Sequence, residues 1–157
     1  MTVKFIIKAL NQEIFSEYLS KSDNELKTLG AQWLTVDVNP GYPCRVSLTD
    51  AKLGEWVLAL SFCHHDVNSP YRATGPIFVR AQAITANLNV NEVPTMLRHR
   101  LLSVRAYNTK KMMIDAETLE GSSLEGAIES MFHNSQIEYI HIHNAGPGCF
   151  NCSVYRA

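Results

Sequence analysis

The sequence carries no excess of charge of either sign. Its 14 lysines and arginines are balanced by 15 aspartates and glutamates, which gives a formal net charge of -1. Proteins that bind nucleic acid or adhere to anionic membranes usually present a basic excess. We therefore expect neither nucleic acid nor a membrane as a partner, and any recognition of an anion must come from a local cluster of basic side chains.

A long apolar run is also missing. The N-terminal apolar stretch spans only a few residues, contains Lys8 and is followed by no small-residue cleavage site. It is too short to cross a bilayer and lacks the pattern of a signal peptide. We therefore expect a cytoplasmic protein, in which the four cysteines stay reduced and form no disulfides.

The chain has 157 residues, of which 46% are hydrophobic, and this is the usual size of one globular domain. It contains no internal repeat, no low-complexity tract and no convincing linker, so we predict a single domain over residues 1–157. Apolar runs and alternation of apolar with polar residues favour strands. The predicted strands are residues 3–10, 33–38, 55–63, 77–82, 101–107, 112–116, 137–143 and 149–155.

Short helices are predicted where capping residues precede an apolar pattern. The signals are a cap at Asn11, a capping box at Ser22 and Glu25, Pro94 at a first helical position, and a second capping box at Ser122 and Glu125. The Asn-rich segment 83–92 is predicted to be a mobile loop. Three or four short helices dispersed among strands indicate an α+β domain with a largely antiparallel sheet.

A predicted loop at residues 64–75 connects two strands. Loops of this length are usually functional or disordered, and its stiff and bulky residues argue against disorder. The loop holds His65, Tyr71 and Arg72, and arginine is well suited to bidentate contact with a carboxylate or phosphate. Alternatively, Arg72 pairs with the surface carboxylate of Asp66.

His141 and His143 are two residues apart on a predicted strand, so both imidazoles project from one face. This spacing suits metal ligands, and it equally fits a solvated sheet face. Cys149 and Cys152 follow in the same hairpin and would complete a set of four nitrogen and sulfur ligands that zinc accepts. A metal-dependent site using His141 and His143, with His65 as a further ligand, is therefore one hypothesis.

Cys149 also lies close to the histidines in sequence and could act as a nucleophile, because a nearby imidazolium favours the thiolate. A free cysteine is commonly just a small buried apolar side chain, which is the simplest alternative. A redox pair of Cys149 with Cys152 is a third interpretation. The pair does not open a helix after a strand, however, as the thioredoxin-like motif does.

Four arginines lie at predicted loop exits or on polar strand faces: Arg45, Arg72, Arg80 and Arg105. If the sheet brings them together, they form a cationic pocket in a nearly neutral protein, able to hold phosphate or carboxylate. The alternative is four scattered surface ion pairs, each of which contributes little to stability.

Five segments, PGYPCRVSL, SPYRATGPIFVR, LLSVRAYN, MMIDA and HIHNAGPGCF, resemble in order a bacterial family catalogued as domain of unknown function 1203. The resemblance implies a single-domain cytosolic protein whose activity is not established. The family's motif positions, carried onto this chain, are Pro43, Cys44, Arg45, Pro70, Tyr71, Arg72, Gly75, Pro76, Arg105, Tyr107, His143, Asn144, Gly148 and Cys149. Cys63 and Cys152 lie outside that pattern, which counts against the redox pair and the four-ligand zinc site.

The leading hypothesis is a small enzyme or ligand-binding protein with a pocket for a small anionic metabolite. The catalytic candidates are His143 as acid or base, since an ordinary histidine pKa lies near neutrality, with Cys149 close by. The ligand-binding candidates are Arg45, His65, Tyr71, Arg72, Arg80, Arg105, Tyr107, His141 and Asn144. Besides the metal-dependent site, a noncatalytic protein-interaction module remains an alternative, and the sequence identifies no cofactor.

Overall fold

Antiparallel strands in two sheets form most of the structure, a computed structural model that describes residues 2–157. The strands in these residues are β1 (Phe5–Lys8), β2 (Ala31–Thr35), β3 (Trp56–His65), β4 (Ala73–Arg80), β5 (Leu101–Tyr107), β6 (Met113–Glu120), β7 (Tyr139–Asn144) and β8 (Phe150–Arg156). The α-helices are α1 (Ser16–Leu19), α2 (Asp23–Thr28), α3 (Thr95–Arg98) and α4 (Leu124–Phe132), and short 3-10 turns precede α1 and α4. The predicted α+β class is confirmed. None of the described helices is long and apolar enough to cross a membrane.

The larger sheet has the strand order β1-β8-β7-β5-β6 and carries the main core on one face. Leu102 and Val104 of β5 and Ile140 and Ile142 of β7 are fully buried there, because alternate residues of a strand point to the same side. The buried side of α4 belongs to the same apolar cluster, centred on Ile128. The opposite face of β5 and β7 is therefore free to carry polar side chains.

The smaller sheet has the order β2-β3-β4 and a separate apolar core. Leu58 and Leu60 of β3 and Ile77 of β4 are buried in this core, together with Leu26 of α2. The central strand β3 is the longest, and its C-terminal end continues beyond the core toward the larger sheet. That end brings the two sheets into contact.

The helix-capping signals had different outcomes. Ser22 and Glu25 form the reciprocal hydrogen bonds of a capping box at the start of α2, as predicted. The second capping box is wrong: α4 begins after Ser123, which makes no capping hydrogen bond with its side chain. The Glu125 carboxylate instead accepts hydrogen bonds from Arg98 at 2.5 and 2.6 Å. A bidentate ion pair outcompetes the local contact because arginine presents two parallel donors.

The predicted loop around the first histidines is shorter than expected. Strand β3 continues through His65, so the connection to β4 is residues 66–72. A register shift between Cys63 and His65 marks a bulge at His64. Because a bulge inserts an extra residue, it changes the direction of neighbouring side chains. Both histidines therefore face the larger sheet, although they are adjacent on one strand.

The Asn-rich segment 83–92 contacts the first strand. The Asn91 side-chain oxygen accepts a hydrogen bond from the Phe5 N–H at 2.9 Å, and the Asn91 N–H donates to the Phe5 carbonyl at 2.8 Å. These bonds anchor one end of the segment to β1. The mobility of the remainder stays a prediction.

Candidate functional site

The end of β3 packs against β7 and the start of β8. The His64 ring stacks on Phe150, with centroids 5.2 Å apart and ring planes 10° from parallel. His65 Nδ1 lies 2.8 Å from the Tyr71 carbonyl oxygen, and because a carbonyl only accepts, this nitrogen carries the proton. His65 Nε2 therefore accepts a hydrogen bond from the Tyr139 hydroxyl at 2.5 Å. The two histidine-bearing stretches of the sequence thus meet in space.

His141 and His143 meet this contact from β7 and complete a histidine cluster with His64 and His65. The His65 ring centroid lies 4.9 Å from that of His141, and the His64 centroid lies 5.1 Å from that of His143. Arg105 of β5 is the direct cross-strand neighbour of His141. Only 4% of His141 and 1% of His143 is exposed, so the solvated sheet face is ruled out for both.

Burial is the main cause that lowers the pKa of three members of the histidine cluster. The pKa falls to about 2 for His141, about 3 for His143 and about 4 for His64. The nearby positive charge of Arg105 lowers all three further. These imidazoles are therefore neutral at physiological pH. The pKa of His143 thus departs from the ordinary near-neutral value that suggested an acid or base role, because its surroundings disfavour the charged form.

Three nitrogens of the histidine cluster are buried without a hydrogen-bond partner in the described part of the chain: Nδ1 of His64, Nδ1 of His141 and Nε2 of His143. His143 Nδ1 donates to the Gly148 carbonyl at 2.9 Å, which leaves the lone pair on Nε2. Within residues 2–157, no three His, Cys, Asp or Glu side chains are placed to hold a metal ion. Cys152 lies in the main core, so the four-ligand zinc set is not assembled.

A second group of polar side chains surrounds Cys149, next to the histidine cluster. Arg45 is 0% exposed, and its guanidinium donates to the Phe150 carbonyl at 2.7 Å and to the Pro43 carbonyl at 2.6 Å. Its third contact is with Cys149 Sγ, 3.0 Å from Nη2. Asn144 Nδ2 lies 3.4 Å from the same sulfur. The thiol is therefore held between a buried cation and an amide donor.

Asn151 extends this group and was missed by the sequence reasoning. It is 0% exposed, and its Nδ2 donates to Asn144 Oδ1 at 2.6 Å, which orients the Asn144 amide toward the sulfur. Beside Asn151, the pairing of β8 with β7 shifts its register between Ile142 and His143. His64 was also missed as a site residue, because the bulge that turns it toward β7 leaves no recognisable pattern in the sequence.

Arg45 is a buried cation without a carboxylate partner among residues 2–157. Burial lowers the pKa of its guanidinium, and the neighbouring Cys149 opposes that shift. Leaving a charge unpaired in the interior costs several kcal/mol in general. A negative charge beside Arg45, on the sulfur or on a bound molecule, would offset this cost.

A cavity of about 720 Å³ opens at Cys149. Its walls include Arg45, Asn144 and Cys149, with apolar surface from Phe78. This volume is in the range of small-molecule pockets. A second arginine on the wall, Arg100, is already neutralised by an ion pair with Asp50 at 2.5 Å, so Arg45 is the arginine of this wall without a carboxylate partner among residues 2–157.

The remaining predicted arginines lie elsewhere. Arg72 forms an exposed ion pair with Asp66, and Arg80 pairs with Glu55 at 2.6 Å. Arg105 lies on the face of the histidine cluster, where its Nε donates to Ser103 Oγ at 3.1 Å. The four arginines are thus not gathered around the cavity, whose wall includes only Arg45 of this set.

The predicted tyrosines lie on the histidine side of the site. Tyr107 is buried and stacks on Tyr139, with centroids 5.2 Å apart, and its ring also contacts His65 at 4.4 Å. Tyr71 packs edge-on against Tyr107 at 6.1 Å. Burial raises the pKa of Tyr139 to about 12, so it stays protonated and can donate to His65.

Comparison with known proteins adds the family but no activity. No curated protein and no solved structure matches the chain. The family model described as "Protein of unknown function (DUF1203)" matches residues 41–156. This segment includes the histidine cluster, Arg45, Asn144 and Cys149, and it covers well over half of the sequence; the chain therefore belongs to the DUF1203 family.

Proposed function

We propose that the cavity beside Cys149 binds a small anionic metabolite and that Cys149 is the nucleophile of a small thiol-dependent enzyme. The observation that carries this proposal is the fully buried Arg45, whose guanidinium contacts Cys149 Sγ at 3.0 Å and no carboxylate in residues 2–157. A guanidinium in this position stabilises a thiolate, which is the reactive form of cysteine.

The donors of Arg45 also leave room for a ligand. A guanidinium has five N–H groups, and the protein uses one on each nitrogen, toward Phe150, Pro43 and Cys149. Further N–H groups remain on the two terminal nitrogens. Planar donors of this kind fit carboxylate and phosphate oxygens. An anionic substrate could therefore bind against Arg45 with its reactive carbon or phosphorus near the sulfur.

Two further residues support the thiol. Asn144 donates toward Cys149 Sγ and is oriented by Asn151. His143 binds the Gly148 carbonyl, immediately before Cys149, and so positions the turn that presents the sulfur. A neutral imidazole with a pKa of about 3 does not supply a proton as an imidazolium at neutral pH. His143 therefore serves as a positioning residue in this proposal.

The test is the rate at which iodoacetamide alkylates each cysteine, followed by mass spectrometry of peptides. We expect Cys149 to react faster than Cys63, the matched control that is also half-buried. The variants Asn144→Ala and Arg45→Met should both slow the alkylation of Cys149 and leave the alkylation rate of Cys63 unchanged. Asn144→Ala retains the buried cation, so it covers the case in which Arg45→Met does not fold.

Protection by anions tests the binding half of the proposal. Phosphate and small carboxylates that occupy the cavity should slow alkylation of Cys149 and raise the melting temperature of the wild-type protein. The same compounds should have no effect on alkylation of Cys63. Equal reactivity of Cys149 and Cys63, with no protection by any anion tested, would refute the proposal.

A metal-dependent site using His141 and His143 is the second candidate. The unpartnered nitrogens of these two side chains favour it, although no group of three ligands is in place within residues 2–157. Metal analysis of tag-free protein decides the matter. Near-stoichiometric zinc or iron that is lost in His141→Gln would make the metal site the leading candidate. Metal-free protein that still shows the fast, anion-protected alkylation of Cys149 would eliminate it.

We also infer that the protein works in the cytoplasm. All four cysteines are free thiols, which suits a reducing compartment. Cell fractionation with an antibody to the native protein tests this inference, and recovery in an exported or membrane fraction would contradict it.

A further inference from the structure

A groove at one end of the smaller sheet contains both tryptophans of the chain. It encloses about 780 Å³ between α2 and the ends of β2 and β3. Trp33 lies opposite Leu58 and Thr35 lies opposite Trp56, so the two indoles are diagonal neighbours on the same face of the sheet. Diagonal positions are about 7–8 Å apart between neighbouring strands, so a ligand that extends along the groove can contact both.

The two indoles provide an apolar floor that the protein leaves open. Trp56 is 56% exposed, whereas Trp33 is half-buried and packs partly against the core of the smaller sheet. Indole is one of the largest apolar side chains, and its exposure to water is unfavourable. A ligand with a flat apolar face would cover Trp56 and recover this hydrophobic free energy.

The rim of the groove is polar and carries no net charge. Its side chains are Asp23, Asn24, Lys27 and Gln32, and the charges of Asp23 and Lys27 cancel. All four residues are exposed. Within residues 2–157, these side chains make no hydrogen bond or ion pair with the rest of the protein. They are therefore available as donors and acceptors, and the balanced charge gives no preference for an anion.

We propose that this groove binds a neutral saccharide chain. One face of a pyranose ring consists of C–H groups, which suit the indole surfaces, and its edge carries hydroxyls, which suit amide and carboxylate partners. A nucleotide or an acidic peptide would need an excess of positive charge that the rim lacks. The site shares no lining residue with the Cys149 cavity, so it is independent of the proposed thiol chemistry.

Intrinsic tryptophan fluorescence tests the proposal directly, because both tryptophans of the chain line this groove. The wild-type protein is titrated with maltoheptaose, cellopentaose and chitopentaose, and separately with adenosine monophosphate as an anionic comparison. We expect a saturable change with at least one saccharide and none with the nucleotide. Calorimetric titration with the active saccharide then gives the Kd.

Variants assign the binding to the groove. Trp56→Ala should raise the Kd by about tenfold or more, equivalent to ~1.4 kcal/mol of binding free energy. Asn24→Ala should raise it by a smaller factor. Leu53→Ala is the matched control, since Leu53 is 66% exposed and lies outside the groove. The proposal is overturned if no saccharide changes the fluorescence, if only the nucleotide does, or if Trp56→Ala binds as tightly as the wild type.

Discussion

Acidification should destabilise the protein strongly, because His141 and His143 are buried as neutral imidazoles. Their folded-state pKa values of about 2 and about 3 lie well below the ordinary value of 6.5. Between these limits the unfolded chain binds more protons than the folded chain, so stability falls as the pH falls. The loss begins near pH 6.5 and continues until the folded imidazoles themselves become protonated.

The size of the effect follows from the unfolded state. At pH 5 an unfolded histidine with an ordinary pKa is almost fully protonated, so each buried neutral histidine lowers the free energy of unfolding by about 2 kcal/mol relative to pH 8. His141 and His143 together account for about 4 kcal/mol, a large part of the roughly 5–15 kcal/mol that stabilises a typical domain. By the same arithmetic His64, whose folded-state pKa is about 4, adds a comparable amount down to pH 5, and its contribution levels off at a higher pH than those of His141 and His143.

Urea unfolding at a series of pH values between 8 and 5 measures this prediction. His141→Gln and His143→Asn should each reduce the pH dependence by about 2 kcal/mol, whatever their effect on stability at pH 8. Asn is chosen at position 143 because its amide can still donate to the Gly148 carbonyl. His133→Gln is the control, since His133 is exposed and its replacement should leave the pH dependence unchanged.

Two results would contradict this reasoning. A wild-type loss below about 1 kcal/mol between pH 8 and pH 5 would mean that the buried imidazoles are protonated in the folded state, or are compensated by groups that the structure does not place near them. The same wild-type pH dependence in His141→Gln would show that other residues cause the acid sensitivity.

Three further predictions concern the scaffold and the surface. Gly121→Ala should destabilise by several kcal/mol, because a Cβ there would lie 1.7 Å from the Leu97 carbonyl oxygen; a urea midpoint equal to that of the wild type would refute it. Glu125→Ala should lose only about 0.5 kcal/mol, since its ion pair with Arg98 is partly exposed, and a double-mutant cycle with Arg98→Ala measures the coupling. Arg72→Ala should leave both the melting temperature and the anion protection of Cys149 almost unchanged, because its pair with Asp66 is exposed and Arg72 is not on the cavity wall; a large drop in melting temperature would contradict the first expectation, and loss of protection would extend the proposed ligand site to Arg72.

The fold could be predicted from the sequence where a local pattern is compatible with only one local structure. Alternation correctly placed His141 and His143 on one face of β7 and Arg105 on the polar face of β5, opposite the buried Ile142 and Val104. The capping box at the start of α2 was likewise sufficient to locate that helix. The capping signal at Glu125 failed because a residue distant in sequence offered a stronger partner.

The site was less predictable because its formation depends on contacts between sheets. The sequence placed His141 and His143 on one face, but it could not show whether water or another sheet covers that face. The end of β3 covers that face, because the bulge at His64 turns two adjacent histidines of β3 toward β7. Nor does any local pattern distinguish the buried Arg45 from the exposed Arg72, as both follow proline-containing turns.

Strand β7 separates the two halves of the site and also connects them. All six of its residues are buried, and alternation directs His143 to the histidine cluster and Asn144 to the Cys149 cavity. The connection between the halves is the hydrogen bond from His143 Nδ1 to the Gly148 carbonyl. A protonated Nε2 would remain in an apolar setting near Arg105, which opposes the charge. The Gly148 carbonyl therefore fixes the neutral tautomer of His143 with its proton on Nδ1, and this hydrogen bond holds the turn that presents Cys149 to the cavity.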